Sequence, residues 1–210
     1  MKVNKCKICR RSGIKIFLKG ERCFSPKCAM IKRPYPPGPK KKRKSRGLSE
    51  YGKELREKQK LKNWYGLEER QFSRYVKKVL SKKRKSGEDA ADVLIKVLES
   101  RFDNAVFRLG LADSRPQARQ MVSHGHFLVN GKKVDIPGYL LKKGDKIRIS
   151  EKKAAKKVFE KLTETLKKKT LPSWFSFDAN KLEGQLLNLP SMEEVVPPAE
   201  ISLVFEFYSK

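Results

Sequence analysis

A chain with a formal net charge of +28 over 210 residues cannot close around a core unless something offsets its self-repulsion. The excess is concentrated at one end. Residues 1–47 hold 17 Lys or Arg against one acid, Glu21, so more than half of the surplus lies in under a quarter of the length. Hydrophobic residues make up 38% and charged residues 35%, which leaves core for one large domain or two small ones. A polyanion is the natural neutraliser, and nucleic acid is the usual one. An acidic membrane is the weaker candidate. No stretch approaches the ~20 apolar residues of a transmembrane helix, and "MKVNKCKICRR" develops no secretory apolar run. The expectation is a cytoplasmic protein with no membrane partner, in a compartment where disulfides are rare.

All four cysteines lie between residues 6 and 28, spaced C-x2-C-x13-C-x4-C. Two short-gap pairs around a loop of this size are the layout of a zinc knuckle, because each tight turn supplies two corners of a tetrahedron. Cys6, Cys9, Cys23 and Cys28 are the expected ligands of one structural zinc. An iron–sulfur cluster takes the same four thiolates. A disulfide pair or free thiols are the remaining alternatives. Catalytic zinc is disfavoured, since such sites commonly use His, and His124 and His126 are far away in sequence. Gly13 and Gly20 would let the loop reverse, and "IKIFL" (14–18) alternates as a short strand does. "RPYPPGPKKKRKSRG" should then be extended over 34–39. It ends in Lys40, Lys41, Lys42, Arg43, Lys44 and Arg46, a run expected to touch phosphate directly.

From Ser49 the pattern turns helical. "SEYGKELREKQKLKNWYG" has Ser49 as N-cap, early acids and late bases. "LEERQFSRYVKKVLSKKRKSG" follows at helical spacing. "EDAADVLIKVLESRFDNAVFRLG" carries the longest apolar stripe and predicts one helix ending at Gly110. Ser114 and Gln117 fit a capping box opening the helix "RPQARQMVSHG". "HFLVNGKKVDI" then reads strand, Asn-Gly turn, strand, and "GYLLKKGDKIRIS" adds another. An amphipathic helix is expected over 152–169, strands at "SWFSFD" and "GQLLNLP", and an apolar tail, "ISLVFEFYSK", able to dock.

These pieces imply an α+β fold in three parts. Residues 1–47 form the zinc knuckle and basic extension. Residues 48–98 form a helical domain on which 192–210 packs back. Residues 99–191 form a helix-and-strand module with its flanks. Arg115 and Arg119, one turn apart, and Lys132 and Lys133 after the hairpin turn, are expected to make one phosphate-facing surface. Arg101 and Arg108 share a helix face; they either contact RNA or pair with Asp103 or a neighbouring acid. Arg56, Lys60 and Lys62 are candidates on the first long helix. The aromatics Trp64, Tyr65, Phe102, Phe107, Trp174 and Phe175 could stack on bases, but their positions favour core packing. No nucleotide loop or nucleophile elbow occurs, so the chain is not expected to be an enzyme. An RNA-modifying enzyme is the main rival, but its catalytic domain would not fit these flanks. A zinc-dependent transcription factor would need a base-reading helix, and none is evident.

The stretch from "LESRFDNAVFRLG" through "SRPQARQMVSHGHFLVNGKKVDIPGYLLKKGDKIRI" resembles the small RNA-binding fold named after ribosomal protein four of the small subunit. The wider chain is similar to that family almost end to end. The likeness takes in "GERCFSPKCAMIKRPYPPG", "LSEYGKELREKQKLKNWYGLEERQF", "PSWFSFD" and "VFEFYSK", and the cysteines resemble its zinc-binding bacterial form. Where bacterial members commonly read glycine-histidine-glycine after "PYPPG", this chain reads Pro39 and then lysines. The resemblance implies an S-four-type (αL) RNA-binding domain with antiparallel strands, monomeric within the ribosome. It implies direct binding to the five-prime domain of small-subunit rRNA at a multi-helix junction, early in assembly. It further implies a position on the channel by which messenger RNA enters, beside proteins three and five, an influence on translational accuracy and, in some bacteria, repression of the protein's own operon.

Overall fold

The first helix, α1 (Lys5–Ser12), starts where Asn4 accepts the Cys6 N–H and stops at Gly13, whose left-handed φ of 73° lets its own N–H return to the Cys9 carbonyl. The sequence pattern did not announce this helix. In the computed structural model the described residues are 4–39, 47–86, 89–150, 171–178 and 181–209. The basic run 40–46 and the helix expected over 152–169 lie outside the described residues. The chain divides into two compact units, Met1–Leu94 with Val196–Lys210, and Ile95–Val195.

In the first unit, Ile16 and Leu18 of the expected 14–18 strand are buried and Lys15 is exposed, as alternation suggests, but Phe17 is exposed too, as is Lys19 beyond it. The expected strand does not form, however. The segment is paired to no ladder among the described residues, and at Phe17 the backbone turns left-handed, with φ 55°. Two single-turn helices follow, α2 (Glu21–Phe24) and α3 (Ala29–Lys32). The inward side chains, with Cys9, Ile8, Ile14 and Met30, pack against Trp64. Trp64 ends α4 (Glu50–Trp64), which opens with Ser49 accepting the Gly52 N–H, as the sequence predicts. Arg56 of α4 donates to the Ser12 carbonyl at 3.2 Å, so α1 is tied to α4 at the close approach of Gly13. Helix α5 (Glu69–Ser86) buries Phe72, Val76 and Val79.

The expectation of one long helix over residues 88–110 is corrected. That stretch is two helices, α6 (Ala90–Glu99) and α7 (Phe102–Arg108), broken at Ser100 and Arg101. The break has a tertiary cause. The first N–H groups of α7 donate to distant carbonyls, Phe102 to Tyr139 at 2.8 Å and Asp103 to Pro137 at 3.1 Å, while the Leu141 N–H reaches the Ser100 carbonyl. These bonds satisfy orphan groups at the helix end that a continuous helix would pair internally.

Helix α8 (Arg115–Ser123) packs on α7. Its capping box is displaced by one residue: Gln117 accepts from the Asp113 N–H, and the Ser114 side chain makes no cap bond. Strands β1 (Phe127–Val129), β2 (Lys132–Lys133), β3 (Lys146–Ile149), β4 (Phe175–Asp178) and β5 (Glu183–Leu186) form an antiparallel sheet in the order β2-β1-β3-β5-β4. The Asn130-Gly131 turn takes positive φ at both residues, and the Asn130 side chain binds the Lys146 N–H and Asp145. Gly184 leaves room for Leu109, which a Cβ there would meet at 2.6 Å. Phe102, Val106, Leu109, Val122, Phe127 and Ile147 fill the core.

The apolar tail becomes α10 (Ile201–Ser209), after a short α9 (Met192–Val195). Helix α10 belongs to the first unit and packs along α4 and α5. No helix among the described residues is long and apolar enough to cross a membrane.

Candidate nucleic-acid interface

The N-terminal segment folds around its cysteines and turns its charge outward. Cys6, Cys9, Cys23 and Cys28 line one small cavity of about 20 Å³, roofed by Leu18, Ala29 and Met30. That volume is near the ~10–15 Å³ needed for one water-sized guest. All four thiols are free of disulfides. Two backbone donors address the sulfurs: the Lys19 N–H lies 3.4 Å from Cys23 Sγ, and the Ile16 N–H serves Cys9. Burial raises the Cys9 thiol above its ordinary pKa against the Ile16 bond, and the nearby Cys23, Cys6 and Cys28 raise it further. Among the described residues, no group of three or more His, Cys, Asp or Glu side chains is already arranged to hold a metal ion.

Over the same segment lies an open concavity of about 900 Å³. Lys7, Arg10, Lys19, Arg22, Lys27, Lys32 and Arg33 line it, with Glu21 as the one acid on its wall. Arg10 also donates to the Tyr35 carbonyl at 2.8 Å and lies 5.0 Å from that ring centroid, pinning the proline segment to α1. None of these seven cations stood out in the sequence as individuals. The available signal was the charge density of the first 47 residues, which does not say which side chains converge.

On α4, Arg56 is exposed while donating to Ser12, Lys60 pairs with Glu57 three residues earlier, and Lys62 reaches Glu69 at 3.0 Å. Glu69 also accepts Lys58 at 2.8 Å and the Tyr208 hydroxyl at 2.6 Å. Burial alone would raise the Glu69 pKa; the Lys58, Tyr208 and Lys62 donors bring it down to about 2. The Tyr208 hydroxyl is correspondingly raised, by burial and by the carboxylate it donates to. Lys62 and Lys60 are therefore engaged with acids, which leaves Arg56 the more available of the three.

The second unit separates the residues expected to act together. Arg101 is fully buried, its guanidinium forked onto Asp103 at 2.6 and 3.1 Å. Arg108 forks onto Glu99 at 2.8 and 2.9 Å and lies 5.7 Å from the Trp174 ring. Glu99 has no exposed side-chain surface. Its burial would raise its pKa, but Arg108, Arg115 and Asn104 hold it below the ordinary value.

Arg115, expected on the phosphate-facing surface, lies inside the second unit. It is buried, donates from Nε to Asn104 at 2.8 Å and sits 4.6 Å from the Phe107 ring centroid. For Arg101 the structure shows the second of the two expected alternatives, the pair with Asp103. Arg119 is half-buried, 3.9 Å from Asp103. Lys132 and Lys133 are exposed on β2, with the Lys133 side chain lying across Gly125 at the end of α8. A cation there suits the negative end of the helix. Trp174 and Phe175 are buried, as expected of core residues.

Comparison with known proteins matches both units. The family described as ribosomal protein S4/S9 N-terminal domain matches residues 1–99, and the S4 domain matches residues 100–147. The small ribosomal subunit protein uS4 of Thermotoga petrophila is 48% identical over 206 residues, covering 98% of this chain and 96% of the relative. The protein of the same name from Thermus thermophilus is 46% identical over 205 residues, with the same coverage. The uS4A protein of Alkaliphilus metalliredigens is 47% identical over 205 residues, again with the same coverage.

Proposed function

We propose a function from one premise: the chain belongs to the uS4 family of small-ribosomal-subunit proteins, cytoplasmic structural components of the ribosome that bind small-subunit rRNA and are not enzymes. The finer reading is direct binding to the five-prime domain of that rRNA where several helices meet, early enough to nucleate subunit assembly. In the assembled particle the chain is one copy beside small-subunit proteins three and five. There it borders the channel by which messenger RNA enters and influences accuracy. Free of the ribosome, the same RNA affinity would let it repress its own operon.

The observation that carries the reading is the seven-cation concavity of the N-terminal segment. A folded RNA junction concentrates phosphate, and a preformed basic surface gains by releasing its counterions. RNA helices are recognised mainly through shape, phosphate and 2′-hydroxyl contacts, so no base-reading helix is needed. Lys132, Lys133 and Arg119 extend the reading to the second unit. Arg56 and the run Lys40, Lys41, Lys42, Arg43, Lys44 and Arg46 supply further phosphate contacts.

Four thiols on a cavity with room for one water-sized guest, two of them addressed by backbone N–H groups, fit a single zinc ion better than an iron–sulfur cluster. Cys6, Cys9, Cys23 and Cys28 would hold it. Bound there, zinc supplies a cross-link to a segment whose apolar core is too small to fold on its own strength.

The test is competition at near-physiological salt. The purified protein is mixed with five-prime-domain rRNA and an excess of unrelated structured RNA, and the complex is footprinted. Protection confined to one helical junction that survives competitor is expected; diffuse, salt-labile protection of any RNA would overturn the junction-specific reading.

A further inference from the structure

The segment 14–19 puts hydrophobic side chains inward and polar ones outward with a single exception. Its outward row is Lys15, Phe17, Lys19, so a phenylalanine stands between two lysines on an exposed face. Phe17 is 37% exposed and holds a φ of 55°. Left-handed backbone at a bulky non-glycine residue is strained, and such strain marks places where the fold is made to aim a side chain. Phe17 aims at a second exposed ring. Phe24, 74% exposed, stacks on it with centroids 4.8 Å apart and planes 26° apart. That stack covers one face of Phe24 and leaves most of the ring to solvent. Arg22, two residues before Phe24, and Ser25, next to it, line the basic concavity, and so does Lys19, two residues after Phe17.

We propose that Phe17 and Phe24 form a stacking platform for one unpaired rRNA base, whose flanking phosphates seat on Lys19 and Arg22 at the edge of the concavity. Phe17 backs Phe24 and fixes its plane, and the base lies on the outer face of Phe24. Charge decides the class of occupant. An apolar protein surface would have to bury this ring among lysines and arginines, at the cost of desolvating them. A nucleotide brings a π face and an anion together, and aromatic platforms beside cations are how single-stranded nucleic acid is held.

The proposal rests on the rRNA-binding reading above, and its test separates the two. Full-length native protein, Phe24→Ala, Phe24→Tyr and Lys19→Gln are titrated against five-prime-domain rRNA over a range of salt, with unrelated structured RNA as control. Loss of one stacked base should weaken Phe24→Ala about tenfold at every salt concentration. The slope of log affinity against log salt should stay native, and Phe24→Tyr should restore the affinity. Lys19→Gln should instead flatten the slope by about one. Ultraviolet cross-linking of the native complex should join a nucleotide to the peptide carrying Phe24. Native-like affinity in Phe24→Ala, with native preference for the rRNA intact, overturns the platform and leaves the rRNA reading standing. A defect seen only when other small-subunit proteins are present also overturns it and gives the pair a protein partner. Loss of rRNA preference in the native chain itself brings down both.

Discussion

Residues 4–39 and residues 99–150 are both rich in cations, and they dispose of them in opposite ways. The first segment has little interior: Cys9, Ile16 and Leu18 with a few half-buried neighbours, closed round four thiols. Its lysines and arginines stay outside, ringing a concavity that contains one acid. The second has a sheet and two helices over a continuous core. It takes three arginines inside or partly inside, engaging Arg101 with Asp103, Arg108 with Glu99 and Arg115 with Asn104. A count of Lys and Arg therefore overstates the charge that a folded surface offers. In the first segment the count and the available charge nearly agree; in the second they do not.

The sharpest way to break this contrast is to remove a thiol. In Cys23→Ser, residues 4–39 should become accessible to protease while a fragment containing 99–150 keeps its protection, and if the proposed zinc site is real the native chain should carry about one zinc ion that the variant lacks. If both segments lost protection together, the difference drawn between them would be wrong. The next effect belongs to the second segment. Glu99→Ala strips the partner from Arg108 and from Asn104 in a buried setting, and such losses cost about 3–5 kcal/mol. Denaturant unfolding of the second unit should report it with the protease protection of residues 4–39 unchanged; a change under about 1 kcal/mol would mean the network is hydrated and not load-sharing.

The smallest effect concerns the docking of α10. The folded pKa of Glu69, about 2, lies below its unfolded value near 4.5. Its pairing therefore stabilises the first unit above about pH 4.5, and that contribution is lost as pH falls toward 2. The side chain is 44% exposed, so solvent screening keeps the effect modest. Hydrogen exchange of α10 amides should accelerate over that window. Tyr208→Phe removes one of the lowering donors and should move the onset to higher pH; an unmoved onset would dissociate Glu69 from α10.

Local chemistry made much of this architecture readable in advance. The Asn130-Gly131 turn formed because both residues tolerate positive φ, and its side chain then pinned the hairpin to β3. Ser49 capped α4, and the apolar spacing of Phe72, Val76 and Val79 became the buried face of α5. The cysteine spacing brought four thiols to one cavity. Alternation over 14–18 pointed Ile16 and Leu18 inward but did not foresee the exposed Phe17, and no neighbouring strand among the described residues was there to make a ladder.

The amino-acid sequence by itself determined the Asn130-Gly131 turn, the Ser49 cap, the periodic face of α5, the cysteine cluster and the excess of positive charge. The tertiary structure alone decided where α6 ends and α7 begins, because the carbonyls that receive the α7 N–H groups come from Pro137 and Tyr139. It alone decided that Arg101 and Arg115 lie inside, that the tail packs along α4, that Phe17 and Phe24 stack on each other, and that seven cations of the N-terminal segment converge on one concavity. These outcomes hang on contacts between chain segments whose approach no local pattern encodes: a guanidinium is the same residue whether it meets a buried carboxylate or a phosphate, and only packing settles which one it reaches.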